Sequence, residues 1–354
     1  DWLIVDVEEA PPADDEVVFS INPERPAVTL PGPGTKRRWE FVVKDDDDIE
    51  TLTDSNTVQK LLEPWIDGQD VQISRKAIYR FHARSAETYR KGNVFLLGDA
   101  AHITPPFAGQ GMMAGLRDGY NIAWKLAAVI NNRLPDDILN SYDTERRPQN
   151  IQVTRFAQYM GHFILPQKAI PAAFRDGVIR FLRLIGLHSD TKPLSLEKIP
   201  NHINGHFMRN AIVQRFGRTG VEFPQYTVER EDGSTGLSDR FIDDQFTILS
   251  WEEDAGQWLD GTTKERWKQL NGQIKVIAQR PQNSLNADLL IDQSGQYADL
   301  FHHGQRVVVI RPDKMMVIHC RPTQLNQKLT RYLNSIGAPQ VDQMSQNQRL
   351  TIAQ

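Results

Sequence analysis

The chain of 354 residues has a single cysteine, Cys320. No disulfide can form within it, and a reducing, cytoplasmic setting fits that usage. No apolar run is long enough to span a bilayer, and no secretory apolar core opens the chain. No sustained basic block exists and the net charge is −4, so neither composition nor charge points to nucleic acid. What remains is ordinary for a globular protein: 40% hydrophobic and 24% charged residues, and enough length for two or three domains.

The informative stretch is 92–126. An apolar run, Val94 to Leu97, lies between Gly92 and Gly98 and reads as a buried strand. Gly98-Asp99 follows at its end, then a loop with Pro105, Pro106, Gly109 and Gly111. From Met112, apolar residues recur at helical spacing: Leu116, Tyr120, Ala123, Trp124 and Ala127. Strand, acid, glycine loop and helix make a ligand-binding order. The acid can bind a sugar hydroxyl, the glycines admit a flat ligand, and the helix start offers free N–H groups. Gly109-Gln110-Gly111-Met112-Met113-Ala114 also fits the dinucleotide pattern G-x-G-x-x-A. That pattern needs its first glycine directly after a strand, so it is rejected as a pyrophosphate site here.

The stretch Gly98-Asp99-Ala100-Ala101-His102, the prolines and the glycine loop resemble the second flavin fingerprint of the single-component aromatic hydroxylases, which use FAD and NAD(P)H. The resemblance implies that Gly98 and Asp99 hold the ribityl chain. It implies that Pro105, Gly109, Gly111, Met112 and Met113 line the flavin, the last three giving backbone N–H groups to its pyrimidine edge. Met113 stands where many relatives carry Asn, so only the backbone contact carries over. Pro106 flanks the edge where oxygen is activated and, with no N–H of its own, helps to exclude water. His102 is a candidate general base, or simply shapes the loop. Such hydroxylases begin with a βαβ unit that binds the ADP half of FAD. Here residue 1 is Asp, and Leu3 to Val7 reads at once as a strand. The expectation is a C-terminal part of a longer protein.

Residues 1–90 read as a substrate-binding sheet, with strands at Trp2–Val7, Val17–Ile21, Ala27–Leu30, Arg38–Val43 and Ile73–Phe81 and a helix at Thr57–Trp65. Four acids, Asp45 to Asp48, read as a solvated loop rather than a metal site. Arg37, Arg38 and Arg80 are candidates to pair with a substrate carboxylate or to lie solvated at an edge. By resemblance the Arg38 strand faces the flavin. Trp39, Tyr79 and Phe81 are candidates for an aromatic pocket or for core.

Residues 91–187 hold the flavin motif and helices, Ile138–Met160 and Ile170–Leu187 among them; Tyr142 to Pro148 resembles the Y-x-x-E-R-R-P segment of the family, read as structural. Residues 188–235 read as an irregular linker. His202 and His206 are four apart, but Pro200 and Gly205 argue against the helix a metal pair would need, so no metal is assigned. From 236 to 354 come a strand (Phe246–Ser250), helix (Thr263–Leu270), strand (Ile274–Ala278), a hairpin through Arg311-Pro312-Asp313-Lys314, and a final helix (Gln324–Ile336). That order resembles the thioredoxin-like tail of phenol-hydroxylase-type enzymes. A lone Cys320 makes it redox-inactive and leaves packing or homodimer contacts as its role.

The expected fold is α/β (α+β): the C-terminal part of an aromatic-hydroxylase FAD and substrate fold, then the thioredoxin-like domain. Asn22 to Pro26, Arg37 to Phe41, Phe174 to Val178 and the Arg-Pro-Asp hairpin follow, in order, the 3-(3-hydroxyphenyl)propionate hydroxylases. The implied reaction uses NADH, FAD and molecular oxygen, through a flavin C4a-hydroperoxide, to hydroxylate a small phenolic acid ortho to its hydroxyl. The alternatives are a hydroxylase of another phenol (a resorcinol, a chlorophenol or a polyketide), or an inactive fragment serving as a packing or dimerisation scaffold.

Overall fold

The computed structural model describes residues 1–164, 177, 178, 180, 219–280 and 288–340. It divides into two units. One comprises Asp1–Arg84, His102–Gly111 and the described part of Gln152–Lys198; the other comprises Ser85–Ala101, Met112–Ile151 and the described residues from Ile199 onward.

The first unit is built on a five-stranded antiparallel sheet. Its strands are β1 (Trp2–Val7), β2 (Val18–Ser20), β3 (Ala27–Pro31), β4 (Arg37–Val42) and β5 (Ile73–Tyr79), in the order β2-β3-β4-β1-β5. β1 lies between β4 and β5 and is apolar on both sides, which explains its continuous apolar run. Alternation sends Leu3, Val5, Val7, Trp39 and Phe41 to one face. There the amphipathic helix α1 (Ser55–Ile66) covers them with Val58, Leu62 and Ile66. Asp54 caps α1 by accepting from the Asn56 and Thr57 N–H groups. The other face carries Trp2, Ile4, Val28 and Val42, with Phe19, Leu30, Phe81 and Phe107 packed against them. Asp47 is engaged by Arg25 through two bonds of 2.7 and 2.8 Å, and Asp48 caps the short helix Ile49–Leu52.

The second unit contains helix α2 (Gly111–Ile130) from Met112 onward and the first half of α3 (Asn140–Ile164). Its seven-stranded sheet is formed by β6 (Thr227–Arg230), β7 (Thr235–Leu237), β8 (Thr247–Trp251), β9 (Gln273–Ala278), β10 (Asp288–Asp292), β11 (Val307–Ile310) and β12 (Met316–Cys320). Their order is β7-β6-β10-β9-β8-β11-β12, with β8, β9 and β10 parallel and the rest antiparallel. Helices α4 (Gly261–Gln269) and α5 (Leu325–Ser335) pack with Trp267, Leu329 and Leu333 on one face of the sheet. Phe223, Tyr297 and Phe301 fill the other. Strand, helix, strand, hairpin and final helix stand where the sequence places them. β6, β7 and β10 were not expected. Cys320 is buried, and that burial pushes its thiol up to about 11.

Two expectations change. The run Val94–Leu97 is not a buried strand: only Val94–Phe95 pairs, with Arg90–Lys91, and Val94 is 65% exposed. Gly92, at φ 61°, closes that hairpin after two-residue arms. The buried side of α2 follows its expected apolar stripe only at Trp124. Leu116 and Tyr120 are more than half exposed, whereas Asp118, Asn121 and Lys125 are buried. Of the helix expected over 170–187 only residues 177, 178 and 180 are described, and these are helical; His202 and His206 lie outside the described residues.

The buried polar side of α2 is satisfied by the hairpin between β11 and β12. Arg311 donates to both oxygens of Glu145 on α3, at 2.8 and 3.0 Å, and to both oxygens of Asp313, at 2.9 and 2.6 Å. Lys125 donates to Glu145 at 3.0 Å and to Asn121 at 2.7 Å, and Asn121 donates to Glu145 at 2.7 Å. Two cations thus face two anions where bulk water is excluded. Burial drives Glu145 upward, but Arg311 first and Lys125 second outweigh it and hold the carboxyl well below its usual range. A depressed carboxyl contributes stability that is complete above its unfolded value and is lost as pH falls. Glu145→Ala, which leaves Lys125 without a carboxylate and Arg311 with Asp313 alone, is expected to lose about 3–5 kcal/mol in urea unfolding at pH 7. The acid-side loss of stability should be shallower in that variant than in wild type; equal slopes would show that Glu145 is not the carboxylate being protonated.

Candidate flavin site

The segment from Gly98 to Met113 begins with a turn that other residues hold rigidly. Gly98 sits at φ 53° and opens a 3-10 turn, Gly98–Ala100. Its N–H donates to Asp118 of α2 at 3.1 Å. Asp118 is fully buried and also accepts from Arg146 at 2.8 Å and from Asn150 at 3.1 Å, both on α3. Arg146 bonds to Gln149 and reaches the Ala114 carbonyl at 3.3 Å. Gly115 faces Gly98 so closely that a Cβ there would lie 3.2 Å from the Gly98 Cα. One glycine supplies the left-handed turn and the other supplies the clearance. The Glu-Arg-Arg-Pro segment therefore does two jobs: Glu145 neutralises the hairpin, and Arg146 fixes the acid that fixes the turn.

The next residue is presented, not buried. Asp99 is exposed, and its carboxylate has no hydrogen bond or ion pair among the described residues. Gly109 ends a second 3-10 turn, Pro106–Ala108, at φ 60°, so it does not follow a strand; the dinucleotide pattern stays excluded. Open space lies over both Gly109 and Gly111 where a side chain would project. α2 starts at Gly111, so the N–H groups of Gly111, Met112 and Met113 are first-turn donors without intrahelical acceptors. Met112 and Met113 are exposed. In the second unit, the unpaired Asp99 carboxylate suits a polyhydroxylated chain and the first-turn donors of Met112 and Met113 suit an electron-rich edge; in the first unit, Gly109 and Gly111 leave clearance for a flat ring; each residue type fits a flavin.

In the first unit, Phe107 of the proline turn packs on Trp2 (ring centroids 5.7 Å apart), and Trp2 lies 6.4 Å from Phe81. Gly161 of α3 leaves room for the Phe107 ring, which a Cβ there would meet at 2.8 Å. Thr104 and Thr154 share a 2.9 Å hydrogen bond. Pro105 is buried and Pro106 exposed. Tyr79 pairs in register with Trp2, which puts it on the same sheet face, with Arg75 over its ring at 5.2 Å.

Other sequence candidates do not join that face. Arg37 is buried on the α1 side and spends its donors on Thr29 and on the carbonyls of Asp14 and Glu16, at 2.8 to 3.2 Å. Trp39 is 2% exposed in the core under α1. Alternation explains both: they are odd-numbered on a strand whose even-numbered residues face the other way. Arg38 is on that other face, paired bidentately with Asp6 at 2.6 and 3.0 Å. Arg80 pairs with Asp1. His102 is 2% exposed, which removes it from direct contact with a diffusing substrate. Asp118 was missed, because an acid inside a helical apolar pattern carries no local signal; Arg146 lies in the segment read as structural.

Comparison with known proteins agrees with this geometry. Residues 2–157 match the FAD binding domain family and residues 220–335 the HcaD C-terminal domain family. Both matched segments, and the relatives below, make the chain similar to FAD-dependent aromatic hydroxylases. It is 30% identical to a 3-(3-hydroxy-phenyl)propionate/3-hydroxycinnamic acid hydroxylase of Burkholderia cenocepacia over 88% of its length. The same identity holds over 93% for a relative of the same name in Klebsiella pneumoniae. The chain spans 59% and 61% of those two relatives. Among solved structures it shares its fold with the flavin-dependent monooxygenase PieE (TM-score 0.72, 16% identity, 94% of this chain and 65% of that one). It also shares it with aklavinone-11 hydroxylase (TM-score 0.67, 19% identity, 94% and 62%). The mixed helix-and-sheet fold is therefore that of the FAD-dependent hydroxylases.

Asp118→Ala is expected to free the Gly98 N–H and leave Arg146 buried without its acid. Urea unfolding should show a loss of about 3–5 kcal/mol, with Asp118→Asn intermediate because it keeps an acceptor for Gly98. An Ala variant as stable as wild type would remove Asp118 from the support of the turn.

Proposed function

We propose that this chain is the substrate- and flavin-binding part of a monooxygenase that hydroxylates 3-(3-hydroxyphenyl)propionate to 3-(2,3-dihydroxyphenyl)propionate. One molecule each of the phenol, NADH, a proton and O2 gives one each of the catechol, NAD+ and water. The observation that carries this reading is the exposed, unpaired Asp99 on a turn locked from behind by Asp118. The names of the sequence relatives supply the substrate class.

Bound FAD would supply the reduction of oxygen and the electrophilic oxygen atom. The residues of the chain do the rest. Asp99 accepts hydrogen bonds from the ribityl hydroxyls. The N–H groups of Gly111, Met112 and Met113 donate to the pyrimidine edge. Pro105 and Pro106 form a wall without amide donors, which keeps water from competing for the reactive oxygen. Phe81, Tyr79 and Trp2 offer an aromatic face to the substrate ring. Cys320, a buried free thiol, suits a cytoplasmic enzyme and takes no part in the redox chemistry.

The test is to supply FAD, NADH, oxygen and 3-(3-hydroxyphenyl)propionate and to identify the product by mass and by its catechol spectrum. Oxygenation of a resorcinol or a polyketide phenol instead would move the assignment within the family. Asp99→Ala should weaken FAD binding by about 1.5–3 kcal/mol, the worth of hydrogen bonds to a charged group. Unchanged flavin affinity would remove Asp99 from the site.

A further inference from the structure

The sheet face that carries Trp2, Phe81 and Phe107 also carries one carboxylate with no partner. Glu40 is central on β4. In register it stands opposite Ile4 of β1 on one side and Val28 of β3 on the other. Its neighbours on the same face of its own strand are Arg38 and Val42. Glu40 is 9% exposed, and no hydrogen bond or ion pair reaches its carboxylate among the described residues. The nearby cation does not serve it, because Arg38 is committed bidentately to Asp6. A buried carboxylate left without donors costs free energy. Here it sits in the apolar cluster of Ile4, Val28 and Val42, against which Phe107 of the proline turn packs.

The arrangement is the reverse of the other buried acids. Asp118 and Glu145 each have three or more donors. Glu40 has none, and it lies where an aromatic substrate would be held. Resting on the hydroxylase reading above, we propose that Glu40 is a catalytic residue that receives the hydrogen bond, and then the proton, of the substrate's phenolic hydroxyl. The phenolic O–H bond breaks and its proton passes to a Glu40 oxygen. The electron pair left behind is delocalised to the ortho carbon, which forms the new C–O bond to the oxygen atom supplied by O2 and NADH in the reaction above. Loss of the ring proton to solvent restores the aromatic ring, and Glu40 returns its proton to the original phenolic oxygen, which gives the catechol and leaves Glu40 ionised.

Burial raises the Glu40 carboxyl above its ordinary value, against the attraction of Arg38 and with a small contribution from Asp6. That brings it nearer to a phenol, which makes the transfer less uphill. The charged and titratable groups on this face are Arg38 on β4, Asp6 on β1, and Arg75 and Tyr79 on β5; β3 presents Val28 and Leu30, β2 presents Phe19, and the proline turn presents Phe107.

The experiment uses FAD-loaded protein with two probes, 3-(3-hydroxyphenyl)propionate and its O-methyl ether. Glu40→Gln keeps an acceptor but no base. Glu40→Leu keeps neither, and matches the apolar surroundings. Wild type is expected to bind the phenol at least about ten-fold more tightly than the ether, as for a hydrogen bond to a charged group. Glu40→Gln should keep much of that preference and lose kcat by about 10²–10⁴-fold. In wild type kcat/KM should fall as pH drops through the raised carboxyl value, and this limb should be missing in Glu40→Gln. Glu40→Leu should lose the phenol-over-ether preference itself. Both variants should unfold in urea at pH 7 no earlier than wild type, because an unpaired buried charge has been removed. Wild-type turnover with an unchanged rate and pH profile in Glu40→Gln would overturn the role of Glu40 while leaving the hydroxylase reading intact. Wild-type protein that holds FAD but neither binds nor oxygenates the phenol would overturn that reading, and this one with it.

Discussion

The bidentate pairing of Arg311 with Glu145 joins a hairpin tip to the helices that carry the flavin motif. A hairpin turn with charged residues would ordinarily sit in water. This one is buried, so every charge in it must find a counter-charge on the surface it meets. Glu145 supplies the counter-charge for Arg311 and Lys125, and Asp313 completes the balance. One residue further along α3, Arg146 turns to Asp118, and Asp118 holds the Gly98 N–H. The support of Asp99 therefore runs through Arg146, while its neighbour Glu145 ties the C-terminal hairpin to the helices within this unit.

Glycine serves that support where no side chain would. Gly98 takes a left-handed turn and Gly115 lets α2 approach it. The result is a motif whose backbone is rigid and whose one acid is unpaired, which is the pre-organisation a cofactor site needs. The first sheet shows the same division of labour. Its α1 side is packed with Trp39, Phe41 and Arg37, the last fully bonded. Its other side holds aromatic rings and a carboxylate left without donors.

Among the described residues, Asp118, Glu145 and Arg311 are buried and satisfied several times over, which stabilises one arrangement. Buried Glu40 and exposed Asp99 have no hydrogen-bond partner, and each lies where a ligand is inferred.

The sequence by itself determined most strands and helices around the two sheets, the glycine-acid motif and the likeness to the aromatic hydroxylases. Local pattern is enough for these: apolar period two marks β3 and β4, a continuous apolar run marks the central strand β1, and left-handed turns need glycine. β6, β7 and β10 were not legible, because short strands with charged residues carry no strong period. Only the tertiary structure decided which side chains of β4 enter the core under α1 and which face the other way. A one-residue difference in phase puts Arg37 and Trp39 in the core and Arg38 and Glu40 opposite. It also decided that α2 buries Asp118, Asn121 and Lys125 and exposes Leu116 and Tyr120. Helical spacing ranks residues by hydropathy, whereas burial here follows partners at Glu145, Arg146 and Asp313, up to 192 positions distant in the case of Asn121 and Asp313. Such pairings are written in no local stretch of the chain, since the energy that permits them arises only when the charges meet in the absence of water.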